Sequence, residues 1–405
     1  MKILLLSHIF PPAIDGGSKV IYKLGQYFES QHHQTLYLSS NCSSTDDFVN
    51  RKFKASLPRE ESKEGFIYLP SYTNLRKPLK FLNLFLNQDL LRIFQKGPIF
   101  KLIPLFRTTL KIIKFKPDLI VAGPLPTTIV LYANFFKKLT NSKLLINSSF
   151  HPTDNDFQQR PLIKSLQNAD YLWTLTQSET DYFIKNFNID PKKIILAGNG
   201  VDSKFLKIKP STIYDPTSTI LFIGSLAAHK RVDLLIKSFS DLKSSLRQGR
   251  MPRSSGEVGL VIAGQPTLFY PQIKKLINSL NPEIKLKINF IFNFPKKDLT
   301  KLIDSCDVLV LPSIQESFGL VVIEAWARQK PVICANIPAL KELVNQTNGG
   351  LLFKVDNEKD LTKKLKFILD NPDKAQQLGQ NGYKYVKNNY TWDKVGQKIC
   401  QKLLS

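Results

Sequence analysis

One continuous stretch, residues 307–344, constrains the fold of this chain more than any other: DVLVLPSIQESFGLVVIEAWARQKPVICANIPALKELV. An uninterrupted apolar run that ends at a proline predicts a buried strand, and a polar segment after it predicts a loop. The stretch predicts a strand at 307–312, a loop at 313–317, a helix at 318–328 with Ser317 as its N-cap, and a strand from 332. Such a strand–loop–helix–strand unit is the building block of a parallel α/β sheet.

Two carboxylates lie in this stretch, Glu316 in the loop and Glu324 on the predicted helix. On one helix they would be roughly 12 Å apart, whereas a retaining hydrolase needs its carboxyl pair about 5–5.5 Å apart. The pattern favours a long ligand, with an anionic group at the N–H groups of residues 318–320 and hydroxyls, such as those of a ribose, at Glu324. An ordinary βαβ unit, in which the acids are a cap and a solvated side chain, is the alternative.

Composition sets broad bounds on the class of protein. A chain of 405 residues predicts two or three domains, each able to bury a core. No apolar run approaches 18 residues, and the run at the N-terminus is too short for a signal peptide. The four cysteines are widely spaced, which indicates small buried hydrophobes in a reducing compartment rather than zinc ligands or a disulfide framework.

Charge is the outlying feature of the composition. Lysine and arginine number 57 against 33 aspartates and glutamates, so the formal net charge is +24. Such an excess favours anionic partners, although lysine-rich background usage would also produce it.

Residues 76–116 concentrate this charge, with ten basic residues, one acidic residue and interleaved leucine and phenylalanine. Basic amphipathic segments of this kind can lie at a membrane interface. The alternatives are helices packed on the domain with their lysines outward and a nucleic-acid surface, for which no motif is present.

The first half of the chain reads as alternating strands and helices. Strands are predicted at 2–7, 118–122, 142–147 and 170–176, and helices from Ser18 and at 178–187. Gly16 and Gly17 precede the first helix and would let backbone N–H groups approach a phosphate or sugar, although a plain turn is the commoner meaning.

Two polar features follow the strand at 142–147. His151 lies where doubly wound sheets bind ligands, although a lone histidine is usually structural. The sequence Asp154-Asn155-Asp156 imitates a D-x-D metal motif, and it is interpreted as a solvated turn.

The second half repeats the pattern. A strand at 219–223 leads into Gly224-Ser225 and the basic residues Lys230 and Arg231, and a helix begins at 232. A strand, glycine loop, basic residue and helix form a phosphate-binding layout that is not a Walker P-loop; a solvated Lys230 is the alternative. Residues 242–258 are polar and basic and predict a loop.

The motifs, taken together, resemble family 4 retaining glycosyltransferases of the GT-B fold. E-S-F-G-L-V-V-I-E-A with P-V-I downstream resembles the family's E-x7-E signature. F-P-P-A-I-D-G-G resembles its opening with one extra residue, and N-G-V-D at 199–202 resembles the end of its first domain. The loop 224–231 resembles G-R-x(4–5)-K-G, with Ser225 in place of the usual arginine and Arg231 in place of a glycine. The resemblance covers nearly the whole chain and is weakest over 45–116.

The resemblance implies an α/β protein with two doubly wound Rossmann-like domains facing each other across a cleft. The expected domains are an acceptor-side domain at 1–203, a linker at 204–218, a nucleotide-sugar-binding domain at 219–385 and a helix at 386–405 that crosses back.

The resemblance also implies retaining transfer of a sugar from a nucleotide-sugar donor to a glycan or lipid-linked acceptor. Three residues are expected to be catalytic, His151 near the sugar and acceptor, Glu316 on the donor sugar and Lys230 on the departing diphosphate. The expected donor-binding residues are Gly16, Gly17, Gly224, Ser225, Lys230, Arg231, Phe318, Gly319, Leu320 and Glu324. No metal and no cofactor are expected.

Two further interpretations stay open. One is a GT-B sugar-nucleotide epimerase, and the other is a basic membrane- or nucleic-acid-binding protein with a vestigial site. The expected location is the cytoplasm, with peripheral attachment to the inner face of the membrane through 76–116 and no specific nucleic-acid partner.

Overall fold

The structure is a computed structural model that describes residues 1–11, 16–42, 65–71, 97–152, 154–207, 218–248, 258–295 and 298–404. The chain divides into two compact units, and each has its own parallel sheet. The first unit contains Met1–Asn199 and Val395–Ser405, and the second contains Gly200–Lys394. Parts of four predicted features lie outside the described part of the chain. They are the glycine-rich opening motif at 12–15, the basic segment at 76–96, the linker at 208–217 and the polar loop at 249–257.

The first unit is built on seven parallel strands with helices between them. The strands are β1 (Lys2–Leu6), β2 (Gln34–Ser40), β3 (Phe66–Leu69), β4 (Leu119–Ala122), β5 (Lys143–Asn147), β6 (Tyr171–Thr174) and β7 (Ile194–Leu196). The helices are α1 (Gly16–Ser30), α2 (Leu102–Phe115), α3 (Ile129–Thr140), α4 (Arg160–Asn168) and α5 (Gln177–Phe187).

The order of these strands is β3-β2-β1-β4-β5-β6-β7. The central strands β1, β4 and β5 are buried and almost wholly aliphatic, as expected where helices cover both faces of a parallel sheet. The chain reverses its direction of winding between β1 and β4, so the loops that follow these two strands border a crevice typical of ligand sites.

The second unit has six parallel strands. They are β8 (Ser218–Ile223), β9 (Val258–Ala263), β10 (Ile288–Ile291), β11 (Val308–Leu311), β12 (Val332–Ala335) and β13 (Gly350–Phe353). The helices are α6 (Val232–Gln248), α7 (Tyr270–Asn278), α8 (Pro282–Lys285), α9 (Leu299–Asp304), α10 (Leu320–Ala327), α11 (Pro338–Thr347), α12 (Glu358–Asp370) and α13 (Pro372–Asn389). The last helix, α14 (Trp392–Leu404), begins in this unit, and its residues from Val395 belong to the first.

The strand order of the second unit is β10-β9-β8-β11-β12-β13. Counted along the chain, this is the 3-2-1-4-5-6 order of a doubly wound dinucleotide-binding sheet. Its point of reversal lies between β8 and β11, which pair directly. The loops after these two strands therefore meet at one crevice, and they are the loops that carry the predicted phosphate and carboxylate residues.

Three local predictions are wrong in detail. Helix α1 begins at Gly16 rather than Ser18, so the glycine pair forms its first turn instead of preceding it. Helix α10 begins at Leu320, and its N-cap is Gly319 rather than Ser317. Residues 242–248 continue helix α6 rather than forming a loop, because Leu242 is buried and helical spacing persists.

Arg328 ties the end of α10 to the start of the second unit. Its guanidinium donates two 2.6 Å hydrogen bonds to Asp304 and bonds of 2.9 and 2.8 Å to the carbonyl oxygens of Phe205 and Lys207. The side chain is 3% exposed. A paired fork of this kind is geometrically specific, so Arg328 fixes residues 205–207 against the helix end.

No helix in the described part of the chain is both long and apolar enough to span a bilayer.

Candidate active site

The two loops at the reversal point of the second sheet are joined in two ways. The backbone N–H of Ile314, after β11, donates to the carbonyl oxygen of His229, after β8, at 2.9 Å. The Nζ atom of Lys230 lies 2.5 Å from Oε1 of Glu316. These side chains are 18% and 13% exposed, so the ion pair is largely shielded from water. The structure thus brings together two of the three predicted catalytic residues.

The floor of this crevice is made of backbone. Gly224 directly follows β8, and its N–H donates to the carbonyl of Ala263 at 2.9 Å. Gly264 follows β9, and a Cβ atom at that position would overlap the carbonyl oxygen of Gly224. The two loops therefore approach so closely that a side chain at Gly264 has no room. Ser225 lies half-buried in the loop after β8. It occupies the position at which the family motif usually has an arginine.

Arg231 is engaged by acidic neighbours. It adopts a left-handed conformation with φ +50° between the 3-10 turn Ala228–Lys230 and α6. Its guanidinium lies 3.3 Å from a carboxylate oxygen of Asp233 and also contacts Asp356. Two carboxylates therefore offset the charge of Arg231, which the sequence analysis expects among the donor-binding residues.

The start of α10 needs a glycine. Gly319 has φ +93°, a conformation that glycine adopts without a steric penalty. A Cβ atom there would lie 2.8 Å from Cδ2 of Leu340. Leu320 then begins the helix, and helix starts leave their first N–H groups without partners inside the helix. These N–H groups are the hydrogen-bond donors that the sequence analysis assigns to an anionic group.

Phe318 has a packing role. Its side chain is 1% exposed, and its ring meets that of Tyr390 edge-on with centroids 5.2 Å apart. Only the backbone of Phe318 is therefore available to a ligand, as the prediction required.

Buried polar groups surround the loop after β11, and one of them, Ser313, was missed by sequence reasoning. Glu324 lies on α10 and is 7% exposed. The hydroxyl oxygen of Ser313 is buried after β11 and has no hydrogen-bond partner among the described residues. Burial, together with the charge of Glu316, raises the pKa of Cys334 at the end of β12. The thiol therefore stays protonated and is unsuited to act as a nucleophile.

The remaining predicted residues lie in the first unit. A Cβ atom on Gly17 would lie 2.5 Å from Cγ of Pro124, which follows β4, whereas a Cβ atom on Gly16 would meet no described residue within 4 Å. Gly17 is therefore required by packing, and exposed Gly16 borders open space at the start of α1. Both glycines lie at the reversal point of the first sheet.

His151 lies four residues beyond β5, partly exposed, with its ring edge-on to Phe157 at 5.2 Å. Asp154 accepts a hydrogen bond from the N–H of Asp156 at 2.9 Å and starts a 3-10 turn. The interpretation of Asp154-Asn155-Asp156 as a turn is confirmed. The described residues contain no group of three or more His, Cys, Asp or Glu side chains placed to hold a metal ion.

Glu179 is a buried carboxylate that sequence reasoning missed. It lies in the first turn of α5 and is 4% exposed. Burial raises its pKa to about 7, although hydrogen bonds from Leu175, Ser148, Phe150 and Thr176 oppose the shift. The spacing Thr176-x-x-Glu179 is a capping-box signal that could have singled it out.

Comparison with known proteins finds a family match over part of the chain and structures with the same fold. Residues 203–385 match the family model described as glycosyl transferases group 1, and this range includes all candidate residues from Gly224 to Glu324. HepE of Anabaena in complex with UDP superposes with a TM-score of 0.73 at 15% identity over 100% of both chains. WaaG, a glycosyltransferase involved in lipopolysaccharide biosynthesis, has a TM-score of 0.67 at 14% identity over 99% of both. The chain has the GT-B fold, as predicted.

The sequence relatives include proteins named as glycosyltransferases. The chain is 28% identical over 236 residues to the O-antigen chain mannosyltransferase RfbU of Salmonella typhimurium. The aligned region covers 58% of this chain and 60% of that protein. It is 25% identical over 248 residues to an uncharacterized glycosyltransferase of Methanocaldococcus jannaschii, or 58% of this chain and 65% of that one. The aligned region thus spans less than two thirds of either relative.

A third relative comes from Campylobacter jejuni. It is the N-acetylgalactosamine-N,N'-diacetylbacillosaminyl-diphospho-undecaprenol 4-alpha-N-acetylgalactosaminyltransferase, 28% identical over 289 residues, 69% of this chain and 74% of the relative. By name these three sequence relatives are glycosyltransferases, and the fold of this chain is GT-B.

Proposed function

We propose that this protein is a retaining glycosyltransferase that moves a sugar from a nucleotide-sugar donor to a hydroxyl group of a glycan or lipid-linked acceptor. The observation that carries the proposal is the Lys230–Glu316 pair at the reversal point of the second sheet, beside the glycine-capped start of α10. Doubly wound sheets bind nucleotides at this point. The matched family and the UDP complex of HepE support a nucleotide-sugar as the ligand.

The chemistry requires charge stabilisation at the leaving group. Glycosyl transfer passes through a state with oxocarbenium character while the bond to the diphosphate breaks. The departing oxygen takes the electron pair, and preorganised donors lower the free energy of that charge. Lys230 supplies a cation here, and the N–H groups at the start of α10 supply dipoles.

Two carboxylates are assigned to the donor. Glu316 contacts the hydroxyl groups of the donor sugar and orients Lys230 through the ion pair. Glu324 accepts hydrogen bonds from the ribose. His151 serves near the sugar and the acceptor, and the reaction uses no metal ion.

A thermal-shift panel tests the donor assignment. Wild type and Glu324→Ala are heated with UDP, GDP, ADP and their common sugars, and Glu283→Ala, on an exposed position of the same unit, is the matched control. A ligand that binds only the folded state raises Tm by mass action. We expect one base to raise the Tm of wild type and of Glu283→Ala but not that of Glu324→Ala. A panel without any shift contradicts the donor assignment and favours a basic binding protein with a vestigial site.

Product analysis separates transfer from epimerisation. A transferase releases the nucleoside diphosphate rapidly only when an acceptor is present. Without an acceptor, release is limited to slow hydrolysis of the donor. Conversion of the donor sugar to its epimer without an acceptor would instead identify a sugar-nucleotide epimerase.

We also propose that α2 brings the protein to an anionic membrane surface, where lipid-linked acceptors are found. Its apolar residues Leu102, Ile103 and Phe106 are 71%, 69% and 65% exposed, and Leu110 and Ile113 continue the same face. Basic residues flank it at 101, 107, 111 and 114, and the described residues from 97 to 117 include no acidic side chain. This pattern suits insertion among acyl chains beneath anionic headgroups. The Campylobacter jejuni relative, whose name includes an undecaprenol-linked acceptor, supports the same choice.

Vesicle co-sedimentation tests this surface. The double variant Ile103→Ser, Phe106→Ser is compared with Leu268→Ser, which changes an apolar residue that is 93% exposed in the second unit. Wild type and Leu268→Ser should sediment with vesicles containing phosphatidylglycerol and not with phosphatidylcholine alone. Equal sedimentation of the double variant would exclude α2 as the attachment site.

A further inference from the structure

The carboxylate of Glu179 joins helix α5 to the residue after β6 and to the loop after β5. Its Oε2 atom accepts a hydrogen bond from the N–H of Leu175 at 2.6 Å. Its Oε1 atom accepts from the hydroxyl of Ser148 at 2.6 Å and from the N–H of Phe150 at 2.8 Å. A buried carboxylate is tolerated only where hydrogen bonds replace water, and here they come from the end of β6 and from the loop after β5.

The loop that Glu179 holds contains an unfavourable backbone conformation. Ser149 has φ +41°, and a non-glycine residue in the left-handed region costs about 1–2 kcal/mol. The hydroxyl of Ser149 donates to Oδ1 of Asn147 at 2.8 Å, and the next N–H group, that of Phe150, donates to Glu179. The turn is thus held on both sides of the unfavourable residue.

Side-chain packing fixes the end of the same turn. The ring of Phe150 is 2% exposed and meets those of Phe183 and Phe187 at centroid distances of 4.9 and 5.5 Å. His151 follows immediately, and its ring lies against Phe157. These contacts fix the backbone of residues 148–150. The position of the His151 imidazole, on the next residue, therefore depends on that turn.

We infer that Glu179 is a positioning residue for His151, because its carboxylate holds the turn 148–150 from which the imidazole projects. This inference rests on the proposed function, in which His151 serves at the donor sugar. In this role, Glu179 acts through the turn and does not itself contact the substrate.

Helix capping alone does not explain the arrangement. Thr176 already caps α5, since its hydroxyl oxygen accepts a hydrogen bond from the N–H of Glu179 at 3.2 Å. In a capping box the glutamate bonds back to N–H groups at its own helix start, and Oε2 does so at Leu175. Oε1 instead reaches a loop about thirty positions away, which contains Ser148 and Phe150. That second contact serves the turn.

The test compares Glu179→Gln with Thr176→Ala, which weakens the same helix start without removing a bond to the turn. The readout is the ε1 carbon–proton NMR signal of His151 in protein labelled at the ε1 carbon of histidine. The sequence has five histidines, and the variant His151→Gln assigns the signal. We expect Glu179→Gln to shift the His151 signal and Thr176→Ala to leave it in place, even if both variants lower Tm. An unshifted signal in Glu179→Gln would overturn the inference.

Kinetics separate this inference from the proposed function. With a donor found by the thermal-shift panel, Glu179→Gln should lower kcat about tenfold with little change in the donor KM, because misplacing one group slows the reaction without weakening donor binding. A shifted NMR signal with unchanged kcat supports the positioning role and contradicts the role of His151 in transfer. If Glu179→Gln does not fold, Ser148→Ala removes one bond to the carboxylate and must shift the same signal, or the inference fails.

Discussion

Lys230 and Glu316 are 86 positions apart in the chain and meet at 2.5 Å. Each follows a strand of one adjacent pair, so the sheet itself brings the cation and the carboxylate to one crevice. The pair is a structural contact, and in the proposed mechanism Glu316 orients the ammonium group of Lys230 for the diphosphate of the donor.

Replacing Glu316 by Gln tests this pair directly. The amide keeps the shape of the side chain but loses the charge, so both the orientation of Lys230 and the contact with the donor sugar weaken. We expect kcat/KM to fall about 100-fold or more, as for loss of a preorganised electrostatic group. Glu283→Gln, on an exposed position of the same unit, is the matched control. Unchanged kcat/KM in Glu316→Gln would remove this residue from the mechanism.

The glycine pair of α1 offers an internally controlled experiment. Gly17→Ala should lower the free energy of unfolding by about 1–3 kcal/mol, because the new methyl group meets the ring of Pro124. Gly16→Ala adds the same methyl group in open space and should be neutral or stabilise the helix by up to about 1 kcal/mol. Chemical denaturation measures both. If Gly16→Ala nevertheless reduces transfer, the ligand approaches the backbone at Gly16; unchanged transfer would contradict its assignment to the donor site.

Removing Arg328 should destabilise the second unit. Arg328→Ala leaves the carbonyl oxygens of Phe205 and Lys207 without their donor and breaks the fork to Asp304. We expect a loss of about 3 kcal/mol in the free energy of unfolding, typical of breaking a buried ion pair. Arg328→Lys should recover only part of it, because an ammonium group lacks the planar fork. Full stability in Arg328→Lys would show that charge alone, rather than geometry, makes the contact.

The raised pKa of Glu179 gives a pH dependence of stability with a definite sign. Its ordinary value is 4.5, and burial raises it to about 7 in the folded protein. Between these values the folded state binds a proton that the unfolded state has released, so the free energy of unfolding falls as pH rises. The contribution is fully present below pH 4.5 and is lost by about pH 7, a change of about 3 kcal/mol.

Urea denaturation of wild type and Glu179→Gln across this pH range isolates the effect. The stability of wild type relative to the variant should decrease from pH 4.5 to pH 7 and stay level above it. A difference that is independent of pH would show that the carboxyl group does not change its protonation on folding.

Much of the second unit can be predicted from the sequence because its signals are local. The run 307–312 ends at a proline and is a strand, and the downstream glycine and apolar residues form a helix. The N-cap is Gly319 rather than the predicted Ser317, because Gly319 adopts a left-handed φ of +93° that the polar pattern of the loop does not indicate.

Other features depend on contacts that no local pattern contains. The engagement of Arg231 by Asp356 joins residues 125 positions apart, so the sequence suggested a cation available to the donor. Glu179 looks like a surface residue in a helical turn, and only the packing of β5 beside β6 places it under the loop at Ser148.

The close approach of Gly224 and Gly264 has a consequence for how donor preference could diverge. Because a side chain at Gly264 would collide with the backbone of Gly224, substitution of Gly264 cannot reshape this part of the crevice without moving the backbone. In the proposed donor site, change in the sugar or base accepted is therefore expected on the loop after β11, where Ile314 is exposed and Gln315 and Ser317 are partly exposed. A library randomised at 314, 315 and 317 should yield altered selectivity far more often than one randomised at Gly264.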